Sequence, residues 1–181
     1  MDDVGDGNWG ANTSMLSAFA GSRMKRHGNL TANSATTALA GYATDCSRLE
    51  EFGTITATSA TTLAGFFGSS TGSTILTRVG LITTPLCQNL NTFAFRCYSL
   101  GELIFSDCAA VTSTTNMVAT CTSLYNLVMP NLTRGVNMAG SAMGNYGMNL
   151  FANSIGTATG AQTITVTGTP FGALLTALDA T

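Results

Sequence analysis

Charged residues are scarce in this chain: they make up 9% of its 181 residues, about a third of the usual share for a soluble domain. The formal net charge is −2, and the basic residues are dispersed apart from a small group between Arg23 and His27. The chain therefore lacks the electrostatic footprint of a nucleic-acid-binding protein. It also lacks an apolar run of about 18 residues, so no segment is predicted to insert into a membrane. A surface this poor in charge favours packing against neighbours in an assembly.

The residue sets that support catalysis or metal binding are missing as well. The single histidine, His27, lies among basic residues with no acidic neighbour nearby in sequence, and we expect it on the surface. No paired carboxylates, phosphate-binding loop or metal-ligand spacing is present. The chain is predicted to be non-enzymatic and to need no cofactor, with an enzyme that uses His27 as a remote alternative.

Five cysteines are present, without a Cys-x-x-Cys pair, which argues against a zinc site or a disulfide framework. They lie at Cys46, Cys87, Cys97, Cys108 and Cys121. Three of them share one position of a repeat and should form a column along a stack of coils. Neighbouring coils lie close enough for Cys97 and Cys121 to pair, but small buried apolar side chains are the favoured interpretation.

A repeated frame is what the chain does contain. Cys-Tyr-Ser-Leu-Gly-Glu-Leu at 97–103 recurs 24 residues later as Cys-Thr-Ser-Leu-Tyr-Asn-Leu at 121–127. Weaker copies begin at Ser73 and, across an insertion at Ser70-Thr71-Gly72, at Cys46. Periods of about 20 to 50 residues are typical of stacked coils, none of which buries its apolar face alone. The sequence therefore predicts a solenoid.

Alternating apolar residues in each unit predict one short, half-buried strand per coil and hence a parallel sheet. Counted from the Cys or Ser as position one, the inward residues are expected at positions four, seven and nine. These are Leu49, Leu76, Leu100 and Leu124; Phe52, Val79, Leu103 and Leu127; and Leu81, Phe105 and Met129. The wider spacing of pairs such as Leu63 and Phe66 predicts helical or irregular turns on the far side.

Three regions follow from the extent of the repeat. Residues 1–22 are predicted to be an N-terminal arm and a cap helix that carries Trp9, Met15, Leu16 and Phe19. Residues 23–144 are predicted to form about five coils. Residues 145–181 are predicted to form a C-terminal cap made of a helix, a strand and a tail, because an open stack needs covering at each end.

The unit Cys-x-Ser-Leu-x-x-Leu, together with the approaches Thr115–Cys121 and Phe93–Cys97, resembles the BspA-like leucine-rich repeats. The segment 155–168 is similar to the C-terminal unit of such proteins, and the resemblance extends over about residues 46–168, with a weaker part at 23–45. It implies an α/β repeat solenoid, a leucine-rich-repeat-like stack of the kind found in bacterial surface proteins and phage structural proteins. It also implies a binding scaffold.

Outward positions of the strands are the predicted binding residues, because a solenoid aligns them into columns. Position six reads Glu51, Arg78, Glu102 and Asn126. These residues form either a ladder of stabilising ion pairs or a ligand site. A second candidate is an apolar patch. It would comprise Ile104, Tyr125 and Val128.

These features together predict a structural or binding protein of a virion exterior, such as a phage head decoration or a tail-associated adhesin. The expected partner is a virion neighbour or a host-surface receptor, with the protein itself in a larger assembly or homo-oligomer. The start of the chain, from Met1 to Asp6, lacks the apolar core of an uncleaved secretory signal. A secreted or cell-wall bacterial adhesin segment is the alternative, so the expected location is the virion surface or the extracellular space.

Overall fold

The chain folds into a parallel-strand β-solenoid of about five turns with little helix. The structure, a computed structural model, describes residues 3–9, 13–70, 75–156 and 163–172. The predicted repeat solenoid is confirmed at this level. Part of the predicted insertion, Thr71-Gly72, and the repeat residue Ser73 lie outside the described residues.

Short parallel strands, each paired with its equivalent in the next coil, build the walls. They are β1 (Asp3–Val4), β2 (Gly7–Trp9), β3 (Arg26–His27), β4 (Leu30–Ala32), β5 (Glu51–Phe52), β6 (Ile55–Ala57), β7 (Arg78–Val79), β8 (Ile82–Thr83), β9 (Glu102–Ile104) and β10 (Asn126–Val128). One sheet has the order β1-β3-β5-β7, a second has β2-β4-β6-β8, and β9 pairs with β10. The prediction of one strand per coil holds for β9 and β10. It is wrong for the earlier coils, which contain two strands each.

A glycine separates the two strands of each early coil, at Gly5, Gly28, Gly53 and Gly80. A Cβ on Gly53 would lie 2.6 Å from the carbonyl carbon of Gly28, and one on Gly80 would lie 2.8 Å from that of Gly53. Real Cβ atoms do not approach backbone so closely. Glycine therefore lets each coil turn a corner directly against the backbone of the coil before it.

Because of this corner, the prediction that Leu81 points into the core is wrong. Leu81, expected to point inward, is 47% exposed, whereas the next residue, Ile82, is fully buried and pairs with Phe105 of the following coil. The glycine corner holds one residue more than the straight strands β9 and β10, which shifts the inward position by one. Phe105 and Met129 are buried as predicted, as are all eight residues at positions four and seven.

The far side of each coil consists of consecutive turns, so the irregular-turn alternative applies in the described coils. A residue with positive φ recurs at one position of this wall and prevents a regular right-handed helix there. These residues are Ser17, Gly41, Gly65, Thr92, Asn116, Gly140 and Gly168. Their amides still bond the next coil: the Gly41 N–H donates to the Ala64 carbonyl and the Gly65 N–H to the Asn91 carbonyl, both at 2.8 Å.

The two ends of the solenoid differ. At the C-terminal end, α1 (Asn145–Ser154) packs against β10, so the predicted final helix is confirmed. At the N-terminal end the predicted cap helix is wrong. Residues 3–9 carry β1 and β2, Ser14 bridges to Ala38, and the following residues form turns. The described N-terminal residues therefore belong to the first coil of the stack. Of the predicted closing strand, Thr165 makes a single bridge to Asn137, and residues 157–162 lie outside the described part.

Buried columns fill the interior between the walls. All five cysteines are buried thiols that form no disulfide, as the favoured interpretation predicted. The Cys121 thiol donates to the Ala94 carbonyl at 2.9 Å and the Cys46 thiol to the Phe19 carbonyl at 3.0 Å. The cysteine column therefore joins successive coils through thiol-to-backbone hydrogen bonds.

Candidate functional site

A column of charged and polar side chains runs along the outside of the first wall. Strand register places these residues in line, with β7 lying against β9. The members of this charge column are Asp3, Arg26, Glu51, Arg78, Glu102 and Asn126. The column contains the four predicted position-six residues and extends beyond them by two members. Its sign alternates from Asp3 to Glu102.

The charge column contributes little to folding stability. The Nε of Arg26 lies 3.5 Å from Oε2 of Glu51, but these side chains are 58% and 52% exposed. Exposed ion pairs typically stabilise a protein by at most about 1 kcal/mol, because water screens the attraction. The alternating charges are therefore not what holds the coils together.

Asn126, at the end of the charge column, is in a different environment. It is partly buried where α1 packs against β10. Within the described residues, its Oδ1 atom is buried and has no hydrogen-bond partner. The charge column thus ends in a polar group whose hydrogen-bonding capacity is unused.

Beyond Gly80, the last corner glycine of the series, the outer wall carries apolar side chains. Ile104 and Val128 pair in register and are half-buried, and Leu81 precedes them in the same line. We call these three residues the apolar strip. The exposed ring of Tyr125 lies over Gly101, where an added Cβ would come within 2.9 Å of the ring. Of the predicted apolar patch, the structure pairs Ile104 with Val128, and it places Tyr125 over Gly101 on the same pair of coils. Sequence reasoning missed Leu81 because it placed that residue inside.

Beside the charge column, the glycine corners form an open groove of about 480 Å³. Its floor is the backbone of Gly28, Gly53 and Gly80, and its far side carries Asn29 and Thr54. These far-side residues bond from coil to coil: the Thr54 N–H donates to Oδ1 of Asn29 at 2.8 Å. The groove is therefore a rigid surface of backbone and short polar groups.

His27 lies beneath this groove, contrary to the prediction that it is a surface residue. It is 3% exposed and stacks on Phe52, with ring centroids 4.2 Å apart. Its Nδ1 lies 2.9 Å from the Gly28 carbonyl and its Nε2 lies 3.0 Å from the Tyr42 hydroxyl. Because a carbonyl only accepts, Nδ1 donates to it, and in the neutral ring Nε2 is then left to accept from the hydroxyl.

Burial lowers the pKa of His27, an effect that the Gly28 carbonyl and the charge of Asp6 partly oppose. The register explains the burial, because His27 occupies the inward position that Phe52 holds in the next coil. That spacing was the signal available in the sequence. Both ring nitrogens are engaged inside an aromatic cluster, so His27 serves as a packing residue.

Two kinds of feature would be recognisable among the described residues: a metal-ligand cluster and a membrane-spanning helix. Within them, no group of three or more His, Cys, Asp and Glu side chains is arranged to hold a metal ion. Of the helices described, none is long and apolar enough to cross a bilayer.

Comparisons with protein-family models, with curated proteins and with solved structures find no match.

Proposed function

We propose that this protein is a non-enzymatic binding component of a virion exterior, either a phage head decoration or a tail-associated adhesin. The observation that carries the proposal is the outer wall, on which a column of alternating charge adjoins the apolar strip on a stiff parallel framework. A flat wall with fixed spacing suits a protein partner. The same proposal relates the solenoid to the BspA-like leucine-rich repeats, which is supported by the buried leucine at position four and the buried apolar residue at position seven of each unit.

The proposed docking surface is the part of the wall where apolar and charged groups meet. Tyr125 is 55% exposed and Leu81 is 47% exposed, and Arg78 and Glu102 lie on the neighbouring strands. Aromatic and aliphatic side chains supply most of the binding free energy in protein interfaces, while surrounding charges align the partner. The proposal thus assigns the main anchoring contact to Tyr125.

Immunogold labelling of the producing culture tests the proposed location. Label on particles supports a virion protein, and label on the cell envelope supports the bacterial adhesin. If neither the particles nor the cell envelope is labelled, the proposal is wrong.

The docking surface is tested by measuring how tightly purified variants bind to the particles or cell envelopes that carry the label. Tyr125→Ala and Leu81→Ala should each weaken binding about tenfold, the scale of an interface anchor. Leu86→Ala is the matched control, because Leu86 is 54% exposed and lies outside the strip. Equal loss in all three variants would show that the strip is not the anchoring surface.

A further inference from the structure

The N-terminal end of the solenoid is open in the described structure. β1 and β2 are the edge strands of their sheets, and no described segment lies outside them. The buried columns consequently reach solvent there. Val4 and Phe19 are half-buried, whereas their equivalents in the second coil, His27 and Ala43, are 3% and 1% exposed. The opposite end is covered by α1.

Gly5 is aligned with the corner glycines Gly28, Gly53 and Gly80, but no contact within the described residues requires glycine at this position. At Gly28, Gly53 and Gly80, an added Cβ would lie within 3 Å of the backbone of the preceding coil. At Gly5, an added Cβ would have nothing within 4 Å. The empty space lies where the other glycines meet the coil before them. Glycine at position 5 is therefore suited to a strand that the chain's described residues do not supply.

The backbone at this edge repeats a donor pattern. The Gly28 N–H donates to the Val4 carbonyl at 2.7 Å, and the Gly53 N–H donates to the His27 carbonyl at 2.9 Å. In each case the glycine amide bonds the preceding coil. The register of β1 on β3 makes the Gly5 N–H the corresponding donor of the first coil.

The charge column indicates which side chain an added strand should carry. Asp3 is exposed and begins the alternation, and the next member, Arg26, is basic. A strand added outside β1 would continue the pattern with a basic residue beside Asp3. A second copy of this edge would instead bring further Asp3 and Asp6 carboxylates into the same interface, and like charges disfavour that pairing.

We propose that the N-terminal edge accepts an extended strand of a partner protein. The strand runs parallel to β1, places Lys or Arg beside Asp3 and an apolar residue beside Val4, and lays its backbone against Gly5. This is strand addition to a sheet edge, in which main-chain hydrogen bonds provide affinity and side chains provide specificity. The inference deepens the proposed binding function by assigning it a second surface, separate from the apolar strip.

A peptide with the sequence of residues 23–32 and the change His27→Leu, which supplies the apolar residue, is a suitable probe. In the folded chain β3 places Arg26 beside the acidic Glu51 of β5 in the same way. Titration into the isotope-labelled full chain, followed by amide NMR, should shift the Gly5 and Gly7 signals. Gly5→Ala should weaken binding about tenfold or more, because overpacking by one methyl group opposes the close approach. The melting temperature of the Gly5→Ala protein should equal that of the unaltered chain.

Charge reversal tests the pairing at Asp3. Asp3→Lys should weaken binding of the peptide about twofold to fivefold, the range for an exposed ion pair. The same peptide carrying Arg26→Glu should regain that affinity with the Asp3→Lys protein. Failure of this exchange, or equal peptide binding by Gly5→Ala and the unaltered chain, would overturn the proposal.

Two further outcomes identify a different occupant and also overturn it. If Gly5→Ala destabilises the isolated protein, the chain itself fills the space. If the unaltered protein dimerises and Gly5→Ala is monomeric, a second copy fills it. These results are distinguishable from failure of the proposed docking surface, because Tyr125→Ala should leave peptide binding intact.

Discussion

The glycine corner gives the sharpest prediction, through the substitution Gly53→Ala. The added Cβ would lie 2.6 Å from the carbonyl carbon and 2.7 Å from the carbonyl oxygen of Gly28. Both atoms belong to backbone that cannot retreat freely. The Gly28 N–H bonds the Val4 carbonyl on one side, and the Gly53 N–H bonds the His27 carbonyl within the same pair of coils. The methyl group must therefore push two coils apart.

The expected loss follows from opposing contributions. Overpacking a tight site costs about 1–3 kcal/mol, and weakening one ladder hydrogen bond costs about 1 kcal/mol. The lower entropy of the unfolded alanine chain offsets about 0.4–1 kcal/mol. The free energy of unfolding should thus fall by about 2 kcal/mol, which for a chain of this size lowers the melting temperature by about 4–8 °C.

Gly5→Ala is the matched control, since it makes the same change in the same column without a neighbour within 4 Å. Thermal unfolding followed by circular dichroism, with guanidinium titration for the free energy, measures both variants. An unchanged melting temperature for Gly53→Ala, or an equal loss for Gly5→Ala, would refute the reasoning. Close approach of coils would then not be the reason for glycine at these corners.

Three other predictions concern the buried residues. Because burial lowers the pKa of His27 from 6.5, the unfolded chain takes up a proton before the folded chain does as the pH falls below about that value. The free energy of unfolding should therefore fall with decreasing pH in this window, and His27→Phe should flatten the dependence seen in guanidinium unfolding at several pH values. Leu103→Ala removes a fully buried side chain and should cost about 2–5 kcal/mol in the same assay; a loss below about 1 kcal/mol would contradict the assigned packing. Burial raises the pKa of Cys87 to about 11, so a chromogenic disulfide reagent at neutral pH should react with the cysteines only after denaturation. Rapid reaction in the folded state would show that the thiols are accessible.

The repeat frame was sufficient to predict the buried residues at positions four and seven of each unit. Leu100 and Leu124 occupy the same position in successive units, and both are fully buried. The prediction succeeded because a stack requires the same apolar positions in every coil, and this requirement appears directly as sequence periodicity. The positions of the predicted binding residues follow from the same register.

The local path of the backbone was harder to predict. Leu81 fits an alternating strand, but the corner at Gly80 adds a residue and turns its side chain outward. Glycine in a strand pattern can mark such a bend, and only its recurrence at Gly28 and Gly53 identifies a shared corner. The prediction left helical and irregular turns open on the far side for a similar reason, since a positive-φ position filled variously by Gly, Ser, Thr and Asn has no single sequence signature.

The alternating charges limit how much the middle of the charge column can add to the free energy of binding. In the middle, each side chain has neighbours of opposite sign, as Arg26 has in Glu51. A ligand that binds there must compete with those pairs, which reduces the net gain in free energy. Asp3 has such a neighbour on one side only among the described residues. Since an ionic group can add most to binding where its charge is least compensated, the charges of the column should contribute most at Asp3, whereas Arg78 and Glu102 align a partner that Tyr125 and Leu81 anchor.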